Sequence, residues 1–308
     1  MKLYEFLSMC DRQNELIEFL QKCNVMNTEM ICPQCNNKLT LNMSTLFFRC
    51  RKSITIQRNH KRKKTSQCEF KQSAKTNTWL ANCNLDIAIV TRFVAYFLMI
   101  RPPRFEFLKQ ELQLSDKTIV DWSSFCREVC VMWLEAQQNP IGGKGIVVEI
   151  DEAKIGKRKY NRGRLVTGKW IFGGFERGTG KAFIVPVKNR TAETLLSVIK
   201  QWILPKTTII SDMWRAYDCL NNEGFIHLTV NHSMNFVDPE TGAHTQNIER
   251  TWREVRANIP RYGTREKHLI GYMAEFFFKR QYKFDDRIVS FFEAVGKFFP
   301  PGSNTTNP

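Results

Sequence analysis

Apolar residues recur along this 308-residue chain with helical spacing in some stretches and strand spacing in others, and the changes mark its parts. Over residues 1–28, Leu3, Phe6 and Leu7, then Leu16, Ile17, Phe19 and Leu20, follow a helical repeat. This predicts an N-terminal helical segment, either a dimer-forming or a capping element. From 29 to 75 the repeat is lost, and short apolar runs, cysteines and a basic cluster predict a small separate module. Helical spacing returns over 84–140. There Phe105 to Cys130 reads as two helices around a turn. Leu108 and Leu112 face inward on the first, Ser115 is the expected N-cap, and Ile119, Trp122, Phe125 and Cys126 line the second. Such a pair is either a DNA-reading helix-turn-helix or a plain helical hairpin.

After Pro140 and the linker glycines Gly142 and Gly143, the pattern changes again. Residues 145–151 form an apolar run that ends in carboxylates, and 170–176 and 182–187 predict two more strands, with Gly178 and Gly180 at the turn. Ala192, Leu195, Leu196, Ile199, Trp202 and Ile203 mark a helix that Pro205 ends. Residues 207–212 and 225–230 read as strands, and Ile248, Trp252, Val255 and Ile259 as one face of a helix stopping before Pro260. Two further helices follow, one with Leu269, Tyr272, Met273, Phe276 and Phe277, the other with Ile288, Phe291, Phe292 and Val295.

Three antiparallel strands, a helix, a strand, a short helix, a strand and a helix is the element order of a ribonuclease H-like core. The fold class expected for 145–300 is therefore α/β: a mixed five-stranded sheet flanked by helices, C-terminal helices included. In that order the first and fourth strands are neighbours. Asp151 and Asp212, each at the end of its strand, would lie side by side, and the last helix would bring Glu249 across to them. Carboxylates gathered so closely need cations to offset their repulsion. Mg²⁺ is the natural choice, and two ions about 4 Å apart suit an in-line phosphoryl transfer.

Charge agrees with that chemistry. The chain carries 46 Lys and Arg against 30 Asp and Glu, a formal +16, which points to a polyanionic partner such as DNA. Membrane partners fit less well. The most apolar segment, Leu85 to Ile100, is short for a span and interrupted by Arg92, and no signal peptide is expected behind Met1–Glu5.

Of the ten cysteines, Cys32 and Cys35 form a CxxC knuckle suited to structural Zn²⁺. Cys50 and Cys68 complete the site, with His60 as a substitute for one of them. The run His60, Lys61, Arg62, Lys63 and Lys64 would sit on an excursion from the ribbon, contacting phosphates or serving as a nuclear-import signal. Lys157, Arg158, Lys159 and Arg162, just past the first catalytic strand, are further candidates for the DNA backbone. His232 and His244 flank the third acidic segment, either orienting a phosphate or nucleophile or serving as structural hydrogen-bonding groups.

Longer motifs carry a family resemblance. Val148-Glu149-Ile150-Asp151-Glu152 with Gly156 to Gly163, then Ile210-Ser211-Asp212 with Trp214-Arg215-Ala216-Tyr217, resemble the first two motifs of Merlin-superfamily transposases, themselves similar to bacterial ISXO-type insertion-sequence enzymes. Thr229 to Ser233, Phe236 to Pro239 and Gly242 to Thr245 match the segment leading to Asn247-Ile248-Glu249 and Trp252. Between Asp212 and Glu249 lie 36 residues, the gap of that family. Gln246 departs from it, as does the wide Cys50–Cys68 interval. The resemblance implies a DDE transposase that cuts and joins double-stranded DNA, using Asp151, Asp212 and Glu249 to hold two Mg²⁺ or Mn²⁺ ions. It also implies a homo-oligomer, at least a dimer, acting in the nucleus of a eukaryote or with cytoplasmic DNA otherwise. A host-recruited DNA-binding protein that no longer transposes is the alternative, and a cellular nuclease the third reading.

Overall fold

The N-terminal apolar stripe folds as α1 (Leu3–Cys10) and α2 (Gln13–Lys22) in a computed structural model that describes residues 1–56, 64–137, 139–155, 168–231, 237–260 and 266–302. Six short strands follow: β1 (Glu29–Ile31), β2 (Lys38–Thr40), β3 (Phe47–Arg49), β4 (Ser53–Ile56), β5 (Lys64–Gln67) and β6 (Lys71–Ser73). They pair antiparallel as β1–β2, β3–β6 and β4–β5.

Helix α3 (Ile87–Met99) starts where the Asp86 carboxylate accepts the Ala88 N–H at 2.7 Å. Ten of its 13 residues are buried, so its apolarity serves a protein core. No helix among the described residues is long and apolar enough to cross a membrane. Then α4 (Phe105–Leu112) and α5 (Asp116–Ala136) form the expected helix, turn and helix. Gln113 takes the left-handed conformation at the turn, and Ser115 Oγ caps α5 by accepting the Thr118 N–H at 3.2 Å. Ile119, Trp122, Cys126, Val129, Cys130 and Trp133 are the buried face of α5. Phe125 departs from expectation. It sits one residue, about 100° of turn, from Cys126 and stays 36% exposed, edge-on to Trp122.

The predicted catalytic strands are β8 (Val147–Ile155), β9 (Lys169–Glu176), β10 (Ala182–Val187), β12 (Thr208–Asp212) and β13 (Ile226–Val230). Two-residue strands β7 (Ile141–Gly142) and β11 (Ile203–Leu204) pair apart from them. The five form one mixed sheet in the order β10-β9-β8-β12-β13. β8, β9 and β10 run antiparallel, while β12 lies parallel to both β8 and β13. The first and fourth strands are thus neighbours, as the element order required.

Helix α6 (Ala192–Trp202), capped by Thr191, covers one face of the sheet. Leu195 and Ile199 pack there with Val148, Ile150, Phe172, Phe183 and Ile209. The other face of β8 and β9 meets α7 (Gln246–Asn258), which buries Ile248, Trp252 and Val255.

α8 (Glu266–Gln281) and α9 (Arg287–Phe298) complete the chain's elements. By its contacts the chain forms two units, Met1–Trp133 with Phe277–Pro308, and Leu134–Phe276. α9, expected in the 145–300 domain, therefore packs with the N-terminal unit. The reason is the apolar face of α1 and α2, which needs a cover. Phe292 stacks on Phe6 at 6.0 Å and meets Phe19 edge-on at 5.5 Å. Gly296 lets the helix approach Cys23, whose carbonyl oxygen would lie 1.9 Å from any Cβ at that position.

Candidate active site

Side chains alternate across a strand, so Glu149 and Asp151 share one face of β8 and Ile150 and Glu152 the other. The first face looks onto α7. There Asp151 accepts the indole N–H of Trp252 at 2.9 Å and the Glu152 N–H at 2.7 Å. Gly173 stands opposite Asp151 on β9, and a Cβ there would come within 2.6 Å of the Trp252 ring. The bare backbone at Gly173 is what lets the indole reach the carboxylate.

Asp212 ends β12, whose parallel register with β8 pairs Ile210 with Glu149. Two residues further along each strand stand Asp212 and Asp151. Asp212 Oδ1 is buried with no hydrogen-bond partner. Glu249 is exposed in the first turn of α7 and accepts a bond from Thr245 Oγ1 at 3.3 Å. Burial pushes the Asp151 carboxyl up to about 6. The bonds from Glu152 and Trp252 oppose the rise, and the charges of Asp212 and Glu249 add to it. The three predicted acids therefore share one electrostatic neighbourhood. They are not drawn in as tightly as metal ligands. Among the described residues, the groups of three or more ligand atoms close enough for one ion are confined to four cysteines. Asp151 is turned to Trp252. The donor set still suits a hard divalent cation: carboxylates from two adjacent strands and a helix, one with an unsatisfied buried oxygen.

Four residues of this region escaped sequence reasoning in their roles. Glu149 is fully buried and bonded on both oxygens. It receives Arg177 Nε at 2.7 Å, the backbone N–H groups of Asn247 at 2.9 Å and Ile248 at 3.1 Å, and Asn247 Nδ2 at 2.7 Å. A carboxylate from β8 thus caps the N-terminus of the helix bearing Glu249, where the helix dipole favours negative charge. The sequence signal was its i, i+2 spacing from Asp151. Glu152 accepts the Tyr217 hydroxyl at 2.6 Å on the opposite face. Burial pushes Glu152 up to about 7, with the bond from Tyr217 and the charge of Arg190 acting against it and Asp151 and Asp212 adding to it. Arg190, before α6, and Tyr217 complete this set. Glu152, Arg190, Asp212 and Trp214 are among the residues lining an open cavity of about 360 Å³.

Of the two supporting histidines, His244 faces Glu149. Its Nδ1 lies 3.5 Å from Glu149 Oε1 without hydrogen-bond alignment, and its carbonyl accepts from Arg177 at 2.7 Å. His232, Lys157, Arg158, Lys159, Arg162, His60, Lys61, Arg62 and Lys63 lie outside the described residues, and Lys64 begins β5.

In the N-terminal unit, Cys32, Cys35, Cys50 and Cys68 place their sulfurs within 4.8 Å of one another. Sγ of Cys32 lies 3.7 Å from that of Cys68, and Cys35 Sγ 3.3 Å from that of Cys50. A tetrahedral zinc with thiolate bonds of about 2.3 Å sets its sulfurs about 3.8 Å apart, so the cluster can hold one. Burial raises the Cys32 thiol, but the backbone N–H groups of Gln34 and Cys35 and the Cys35 and Cys68 thiols outweigh it and leave it at about 7. Cys68 is thus the fourth member. The long Cys50–Cys68 interval is taken up by the β4–β5 hairpin, which returns the chain to Cys50, bonded to Phe70, and Cys68, bonded to Lys52.

The fold and site define a class: a mixed α/β domain that carries acids on two adjacent parallel strands. Its relatives narrow the class. Residues 135–281, 147 of the 308, match the model of the ISXO2-like transposase domain. An uncharacterized transposase-like protein of Haemophilus influenzae is 28% identical over 96 residues, 31% of this chain and 76% of that protein. These similarities support a transposase family. Among solved structures, the catalytic core domain of BIV integrase overlaps 53% of this chain and 85% of its own, at 13% identity and a TM-score of 0.26. An overlap that loose adds nothing to the strand order described above.

Proposed function

We propose that this chain is a DDE transposase of the Merlin, ISXO-like kind, which cuts DNA at the ends of a mobile element and joins it to a target. Asp151, Asp212 and Glu249 would hold two divalent cations, Mg²⁺ or Mn²⁺. The observation that carries the reading is the buried, unbonded oxygen of Asp212 beside Asp151, inside a stretch matching a transposase domain. When bound, such ions stabilise the attacking and leaving oxygens of an in-line displacement.

The chain's own residues prepare the rest. Trp252 fixes the direction of Asp151, and the Glu149 cap fixes α7 and with it Glu249. Glu249, being exposed, meets a DNA strand from outside. The basic groups Lys157, Arg158, Lys159 and Arg162 and the run Lys61 to Lys64 hold the backbone, and a zinc-loaded Cys32–Cys35–Cys50–Cys68 module with α4 and α5 binds the duplex. Two copies at least would act together, since two DNA ends must be held.

Asp212→Asn tests the proposal. The variant should bind DNA as the wild type does and lose Mg²⁺-dependent nicking and strand joining, by roughly a hundred-fold or more, as expected when a metal-ligating charge is removed. Undiminished cutting would remove Asp212 from the site. Wild-type binding without any cutting would favour a DNA-binding protein instead, and cutting without joining a nuclease.

A further inference from the structure

Arg190 lies in the connection between β10 and α6, at the cavity that Asp212 and Glu152 also line. Its guanidinium carbon sits 3.8 Å from the centroid of Trp170 and 4.7 Å from that of Trp214. Two indoles therefore engage the flat cation. Stacking uses the faces of a guanidinium and leaves its N–H edge for an acceptor.

Among the described residues no acceptor takes that edge. Among those residues, Arg190 packs on these two rings and its charge acts on Glu152, but no carboxylate oxygen lies within 4.0 Å of it and it makes no hydrogen bond. The surroundings make this unusual. Glu152 and Asp212 line the same cavity, yet the cation packs on aromatic rings rather than bonding to either. The holding is also fixed relative to the acids. Trp214 is two residues past Asp212 and opens the short turn of Arg215–Tyr217, and Tyr217 in turn is bonded to Glu152. An exposed arginine that lines a 360 Å³ opening, with no carboxylate in salt-bridge contact among the described residues, is free to meet an anion from outside.

We propose that Arg190, held by Trp170 and Trp214, binds a non-bridging phosphate oxygen of the DNA strand lying at the acidic site. This rests on the reading of the chain as a DNA-cutting transposase and adds to it a specific phosphate contact. A phosphodiester suits the site better than a carboxylate ligand. The planar fork matches two phosphate oxygens, and the chain's charge of +16 draws in a polyanion.

The test is the salt dependence of binding to a short duplex of random sequence by the full-length chain, without divalent ions. Arg190→Gln should weaken binding about ten-fold at low salt, as for loss of one charge-assisted contact. It should lower the log K against log salt slope by about 0.9, one phosphate's worth. Arg190→Lys, which keeps the charge and loses the flat faces, should keep the slope while losing affinity. Melting temperatures of both variants should match the wild type, because Arg190 is exposed. An Arg190→Gln slope equal to the wild type's would overturn the proposal. So would equal losses of melting temperature and affinity in both variants, the mark of a purely structural stack. The result stands apart from the Asp212→Asn assay. A changed slope in a chain that never cuts DNA sinks the catalytic reading alone, and an unchanged slope in a chain that cuts sinks the phosphate contact alone.

Discussion

Glu149 shows how much one side chain can decide. Its two oxygens are shared among Arg177, Asn247 and Ile248, so the carboxylate joins β8, the turn after β9 and the start of α7 in one network. Glu149→Ala would leave Arg177 without its partner and α7 without its cap. The expected loss of stability is about 3–5 kcal/mol, read by urea denaturation. A loss under about 1 kcal/mol would show the network to be incidental. Asp151 supports a pH prediction. Its pKa of about 6 lies above the ordinary 3.8, as the value of about 7 for Glu152 lies above 4.5. A carboxyl raised on folding stabilises the fold while protonated. That contribution is complete below the ordinary pKa and disappears as pH rises through the folded one. Without divalent ions the wild type should therefore lose about 3 kcal/mol relative to Asp151→Asn between about pH 4 and 7. Thermal melts of the two proteins in chelator would measure this, and parallel curves across that window would contradict it. The three acids were picked out because each ends or opens an apolar-patterned stretch of the sequence, although β8 itself continues past Asp151. Glu149 was visible only as another carboxylate on the same strand, since its partners lie 28, 98 and 99 residues away.

At the scale of elements, periodicity placed the sheet strands and the helices around them to within a few residues, apart from the far end of β8. β10 is the predicted 182–187 and α6 ends one residue short of the predicted Ile203. β8 runs past Asp151 to Ile155, longer than its apolar run, because pairing with β9 continues from Asp151↔Gly173 to Ile155↔Lys169. Backbone pairing, not side-chain polarity, sets that end. The cysteine module was legible in its knuckle and not in its closure. Spacing left Cys68 and His60 both open, and antiparallel pairing of β4 with β5 is what brings Cys68 to Cys50. Purified protein should carry one zinc per chain. Cys68→Ser should lose most of it and His60→Ala should keep it, as metal analysis of the dialysed variants would show. Zinc retained in Cys68→Ser and lost in His60→Ala would reverse the assignment.

For the molecule as a whole, the charge of +16 predicts strong salt dependence of DNA binding. Replacing Lys61, Arg62, Lys63 and Lys64 together by Ala should lower the salt slope by up to about 3.6 units if each meets a phosphate. Titrations by fluorescence anisotropy at several salt concentrations would decide it, and an unchanged slope would free that run for another role. Composition and pattern settled on their own that the chain is basic and that its second half alternates strands and helices. These are local properties, fixed by spacing and charge along the chain. Folding alone decided that α9 covers α1 and α2, that a buried glutamate caps the helix carrying Glu249, and that two tryptophans hold an arginine beside Asp212. Each depends on residues far apart in sequence meeting across packed elements, and one-dimensional spacing carries no record of that.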